Sequence, residues 1–158
     1  MIRTGALPED GVIARPLGKL TMVNCASPHY LTRFGYPQSP DDLTSHAIVR
    51  YTPHLGVHPL GFEVASVNGV QWFKSGGMLT VNSSENYLTA GLAGLGIIQI
   101  PRIAVREALR AGRLIEVLPG YRAEPLSLSL VYPQRRELSR RVNLFMQWLA
   151  GVMKEHLD

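Results

Sequence analysis

The sequence predicts an α/β fold, and three observations carry that expectation. Short apolar or β-branched runs alternate with helix-start signals along the chain. With 46% hydrophobic and 18% charged residues among 158, the chain can bury a core and is not a disordered polymer. Its 11 prolines punctuate the apolar runs, so many short elements should be joined by defined turns. This length fits one domain, or two small lobes sharing a hinge. No repeat or low-complexity stretch is present.

The elements follow in order. Met1-Ile2-Arg3-Thr4-Gly5 carries too little pattern to be a complete element by itself, and Leu7-Pro8-Glu9-Asp10-Gly11 reads as a turn. Residues 12–15 and, more strongly, 21–26 read as strands. Ser27-Pro28 supplies an N-cap and a proline at the first helical position, so a helix should run from 28 to 34 and close at Gly35. Ser39-Pro40-Asp41-Asp42 repeats that logic, with acids where the helix dipole favours them. A strand is expected at 47–51 and a loop at 52–61. Residues 62–64, 71–74 and 78–81 resemble strands of a small sheet, with turns at Asn68-Gly69 and Gly76-Gly77.

Asn82-Ser83-Ser84-Glu85 should open a helix through about Ala93, cut short by Gly91, Gly94 and Gly96. The apolar run at 97–100 suits a buried strand. A helix beginning at Pro101 has Ile103, Val105 and Leu109 apolar, with Arg106 and Arg110 exposed and Gly112 beyond its end. Strands are expected at 114–118 and 126–132. Ser139 should cap a last helix whose buried stripe is Val142, Phe145, Leu149 and Val152.

Composition narrows the function classes. The lone Cys25 cannot form an internal disulfide and sits in an apolar run, so it reads as a small buried side chain rather than a reactive thiol. With no basic and apolar leader at the N-terminus, and no apolar stretch near the ~20 residues that span a bilayer, the expected location is cytoplasmic, without membrane association. The net charge of +4 invites a nucleic-acid reading. Its Lys and Arg residues are scattered, however, and the cluster Arg135, Arg136, Arg140, Arg141 flanks a helix start, as a solvated face does. No helix-turn-helix pattern is found.

Candidate chemistry is sparse. Gly91, Gly94 and Gly96 follow a helix and precede a strand, the wrong polarity for a phosphate cradle. They fit a helix end and close helix–sheet packing. His54 and His58 stand four apart, but Pro53, Gly56 and Pro59 deny them a helix and no third metal ligand is near. A Cys25–His29 nucleophile pair has simple structural explanations, and no Gly-x-Ser-x-Gly elbow occurs. No enzyme, metal or cofactor is therefore expected. Val81-Asn82-Ser83-Ser84-Glu85 has a favourable polarity, a strand running into a helix whose free N–H groups and hydroxyls can hold a carboxylate. Local sequence leaves ordinary capping by Asn82 or Ser83 as the simpler reading.

The order of segments then carries a resemblance. Ile2-Arg3-Thr4-Gly5, Val12-Ile13-Ala14-Arg15-Pro16-Leu17-Gly18 and Cys25-Ala26-Ser27-Pro28-His29-Tyr30-Leu31 are followed by Gly35-Tyr36-Pro37 and Pro40-Asp41-Asp42-Leu43. After Val81-Asn82-Ser83 come the run from Ala90 to Ile97, Ile100-Pro101, Gly112-Arg113-Leu114, Leu130-Val131-Tyr132-Pro133, Leu138-Ser139 and residues 145–149. Each block is weak alone. Their order resembles the effector-binding domain of LysR-type bacterial transcriptional regulators.

That resemblance implies a periplasmic-binding-protein-like fold, two α/β lobes around a hinge with a ligand cleft between them. The chain would cross between lobes near residues 18–22 and 125–130. Residues 1–20 and 126–158 would form a partial lobe one, and 21–125 a complete lobe two. The family's cleft residues match Arg3 and Thr4 at one strand end, and Ser83 and Ser84 at the strand-to-helix turn, which favours ligand binding there over plain capping. Their hydroxyls and the Arg3 charge would suit a small carboxylate-bearing metabolite. The family's winged helix-turn-helix, linker helix and several lobe-one elements precede the block matching Ile2-Arg3-Thr4 and are absent from this sequence. A homo-oligomer is expected, with DNA contacted only through that missing domain. A stand-alone solute-binding protein of the same fold is the alternative, although no secretory signal is visible.

Overall fold

The computed structural model describes residues 1–5, 12–52, 61–133, 139–154 and 157. The expected turn at 7–11, His54 and His58, most of the 52–61 loop, and Arg135 and Arg136 lie outside the described residues. The chain divides into two compact units, residues 1–21 with 125–158, and residues 22–124.

The first unit is a three-stranded antiparallel sheet and a helix. Strand β1 (Ile2–Thr4) pairs with β10 (Leu126–Pro133), which pairs on its other side with β2 (Val12–Leu20). Thus β2 extends well past the 12–15 expected for it. Helix α4 (Arg140–Lys154) starts with Ser139 Oγ accepting from Val142 N at 3.4 Å. Its expected buried stripe is corrected. Val142, Phe145 and Val152 are exposed, Phe145 by 56%, while Met146 is buried and Leu149, Ala150 and Met153 are half-buried. Spacing identifies an apolar stripe, but the neighbours available decide which face is covered. Here the covered face is displaced by one residue, about 100° around the helix.

The second unit has three layers. Strand β3 (Met22–Ala26) lies between β8 (Ile98–Pro101) and β9 (Ile115–Glu116), antiparallel to both. Strands β4 (Ala47–Tyr51) and β7 (Gly76–Val81) pair in parallel, and a parallel bridge between Ile48 and Ile97 joins that pair to the start of β8. On one face, helices α2 (Ser84–Leu92) and α3 (Arg102–Arg110) cover Val23, Cys25, Val49, Ile98 and Ile100. On the other, α1 (Pro28–Phe34), a 3-10 turn (Pro40–Ser45) and a β5–β6 hairpin (Phe62–Ser66, Gly69–Phe73) cover Ala26, Ile48 and Ile97. Burial of both faces explains why Ile97, Ile98 and Ile100 are all apolar instead of alternating with polar residues, Gln99 being the exception.

Local signals act as their chemistry dictates. Ser27 Oγ accepts from Tyr30 N at 3.2 Å and Gly35 N–H returns to Leu31 O, bounding α1. Asp42 Oδ2 accepts from the N–H groups of Gln38 and Ser39 at 2.8 and 2.9 Å, bonds that hold its carboxyl below the usual range. In α3, Val105 and Ala108 are buried and Ile103 is exposed.

Three further expectations are corrected. Gly76-Gly77 is no turn but the start of β7. A Cβ at Gly77 would lie 2.8 Å from Ile48 O, and one at Gly76 3.0 Å from His46 O, so the glycines admit close strand approach. Residues 78–81 pair with β4, not with the hairpin, because the partner is set by a parallel crossover that local sequence does not encode. The strand expected at 114–118 shrinks to Ile115–Glu116, since Leu118 adopts φ +49°, outside the strand region.

Candidate functional site

The end of β7 leads directly into α2. Thr52 N–H donates to Val81 O at 2.9 Å, keeping the parallel β4 and β7 ends side by side where α2 begins. The carboxyl ends of parallel strands are where open α/β sheets place ligands. Ser83 is the N-cap, with extended backbone and Oγ accepting from Asn86 N at 3.5 Å. The N–H groups of Ser84 and Glu85 precede any helical carbonyl that could accept from them. Ser83 is half-buried, Ser84 is exposed, and Glu85 is the acid of the first turn. This is a dipole end with hydroxyls beside it, suited to a carboxylate.

Arg3 and Thr4 sit on β1 of the other unit, opposite Ser129 and Leu128, and both are exposed. The structure therefore places Arg3 with Thr4 and Ser83 with Ser84, each pair within its own unit. Among the described residues no cluster of three or more His, Cys, Asp or Glu could hold a metal ion. Cys25 is fully buried, and burial, then the charge of Glu116, pushes its thiol up to about 12. That environment makes a poor nucleophile.

Sequence reasoning missed a polar clasp beneath the hairpin. Gln99 Nε2 donates to Asn24 Oδ1 at 2.9 Å and to Glu63 O at 2.8 Å, and Gln99 Oε1 accepts from Glu63 N at 3.0 Å. Asn24 Nδ2 donates to the carbonyls of Leu118 and Tyr121 at 3.2 and 2.8 Å. On the opposite face, Tyr87 Oη accepts from Gln99 N at 2.8 Å, and burial raises its phenol above the ordinary value. The available signal was a single amide inside each apolar run, Asn24 in β3 and Gln99 in β8.

A second buried pair joins Tyr30 Oη to His46 Nδ1 at 3.0 Å, while Tyr30 Oη also accepts from Ala47 N at 2.9 Å. Burial lowers the His46 basicity, and the charge of Asp42 opposes this only in part. The folded ring resists a proton that the unfolded ring accepts near pH 6.5. Stability is thus unaffected by this group at higher pH and falls as pH drops below about 6.5. Urea unfolding at pH 7.5 and 5.5 should show the loss, and His46→Gln should reduce its pH dependence. An unchanged dependence in the variant would assign it elsewhere.

Residues 1–154 match the LysR substrate binding domain family, and the chain belongs to it. It is 99% identical over 158 residues to an Escherichia coli K12 protein described as the uncharacterized HTH-type transcriptional regulator YhjC, covering 100% of the chain and 53% of that protein. It is 30% identical to the E. coli HTH-type transcriptional activator AaeR over 157 residues, covering 98% of the chain and 50% of AaeR. The chain thus spans about half the length of these curated relatives. The regulatory domain of CrgA, a LysR-type regulator from Neisseria meningitidis, superposes with a TM-score of 0.77 at 26% identity, covering 95% of this chain and 72% of that one. Full-length AphB from Vibrio cholerae gives 0.76 at 25% identity, with 96% and 50% covered. The fold is the periplasmic-binding-protein-like fold of LysR regulatory domains. No helix among the described residues is long and apolar enough to cross a membrane.

Proposed function

We propose that the chain senses a small carboxylate-bearing metabolite, with Arg3, Thr4, Ser83 and Ser84 as its ligand-binding residues. The observation that carries this reading is the capped α2 start at the carboxyl ends of the parallel β4 and β7 strands. A carboxylate there would meet free N–H groups and a helix dipole. Differential affinity for two lobe arrangements would then bias how a dimeric, cytoplasmic regulator presents DNA-reading elements that lie outside this sequence.

The relatives are transcriptional regulators, which favours this reading over a stand-alone solute-binding protein and over an enzyme. The chain alone should show little sequence-specific affinity for DNA. The test is a thermal-shift screen of small carboxylates, repeated with Ser83→Ala and Ser84→Ala. Ser83→Ala also removes the cap, at about 1 kcal/mol, so the readout is the ligand-induced shift and not the starting Tm. Carboxylate hits are expected to lose most of their shift in the variants. Hits that survive both substitutions unchanged would place the site elsewhere.

A further inference from the structure

We propose that the second unit carries another binding site, a cavity between Tyr36 and Tyr121 that takes a small organic cation of the alkylammonium class. The cavity measures about 230 Å³, and its lining includes Tyr36, Pro37, Gln38, Glu116, Pro119 and Tyr121. None of these belongs to the Arg3, Thr4, Ser83, Ser84 set, so the proposal stands independently of the function proposed above. Drug-sized ligands occupy roughly 300–1,000 Å³, so this space suits a headgroup rather than a large molecule.

The unused groups of the wall choose the sign of the ligand. Arg122 directs both Nε, at 2.9 Å, and Nη2 onto the same Glu116 oxygen, Oε1. Glu116 Oε2 has no partner among the described residues. Gln38 Nε2 already donates to Tyr36 O at 3.1 Å. What the cavity offers is carboxylate and amide oxygens, phenols and two tyrosine rings. Ring faces and a carboxylate oxygen attract a cation, whereas the lining side-chain donors left to an anion, the two phenols and the second Gln38 N–H, are all uncharged.

The wall is also fixed in advance. Tyr121 N–H donates to Leu118 O at 2.9 Å, closing a turn, and the fully buried Asn24 amide holds the carbonyls of both residues. Leu118 is the one non-glycine among the described residues with positive φ, a strained state that persists because these bonds determine it. A site ordered beforehand spares the ligand the cost of ordering it.

The test is a titration of the chain with tetramethylammonium chloride, followed through the ring resonances of Tyr36 and Tyr121 by NMR. Sodium chloride at matched ionic strength and sodium acetate are the control arms. A saturable response to tetramethylammonium alone is expected, with affinity lowered about threefold or more by Tyr36→Ala. Tyr36 is largely exposed, so its truncation leaves the fold in place. Glu116→Gln keeps an oxygen for Arg122 and should weaken binding as well. A response matched by sodium chloride or acetate, or unchanged in Tyr36→Ala, would overturn the proposal.

Discussion

Replacing Gly96 by alanine is expected to destabilise the second unit by about 3–5 kcal/mol, enough to lower Tm by roughly 15 °C or more. A Cβ at this position would lie 2.6 Å from the carbonyl oxygen of Ala47 and 3.0 Å from its carbon. Both are backbone atoms, so no side-chain rotation relieves the clash. That same oxygen accepts the Ile97 N–H at 2.9 Å, and the Ile97 carbonyl accepts the Val49 N–H at 3.0 Å. These two bonds join the β4–β7 pair to β8, so any shift that makes room for the methyl group opens the joint between sheets. Gly112→Ala is the control. Its φ of +66°, like the +158° of Gly96, is strained for alanine, but nothing lies within 4 Å, so the loss should be near 1 kcal/mol. Thermal and urea unfolding compare the two. Equal losses would show that backbone conformation, and not close approach, makes Gly96 necessary.

The contrast between Gly96 and Gly76-Gly77 shows what local sequence could convey. Helix α1 was legible because Ser27, Pro28 and Gly35 act within a few residues of one another, through bonds that need no distant partner. The start of α2 was legible for the same reason, with Ser83 as its cap. The glycine pair at 76–77 carries an equally strong local signal for a turn, yet its cause is the carbonyls of His46 and Ile48, some thirty residues away. The α4 stripe failed similarly, since helical spacing says nothing of what stands opposite Phe145. Among the candidate ligand residues, Ser83 and Ser84 announce a helix start, and their proposed ligand role comes from the segment order alone. Arg3 and Thr4 carry no local signal at all. A three-residue strand acquires meaning only from the β10 residues it pairs with.

The clasp at Asn24 gives the second large effect. Asn24→Ala is expected to cost about 3 kcal/mol, since it strips the Nδ2 donor from two carbonyls and the Oδ1 acceptor from Gln99 in a buried site. Gln99 Nε2 keeps its bond to Glu63 O, so part of the network survives and the hairpin should stay docked. The damage should concentrate at Leu118–Tyr121, where these bonds help to hold a left-handed leucine in place. Hydrogen exchange of the Tyr121 amide, bonded to Leu118 O, should accelerate more than that of the β3 amides. Asn24→Asp separates geometry from chemistry. A carboxylate of the same shape keeps the acceptor for Gln99 but faces the Leu118 and Tyr121 carbonyls without a donor. Its folded pKa must therefore rise above the unfolded value. The penalty is full at neutral pH and fades as acid protonates the group and restores a donor. Denaturant unfolding at pH 7 and pH 5 reads this difference after subtraction of the wild-type change. If Asn24→Asp loses as much relative to wild type at pH 5 as at pH 7, Asn24 Nδ2 is not what holds the turn.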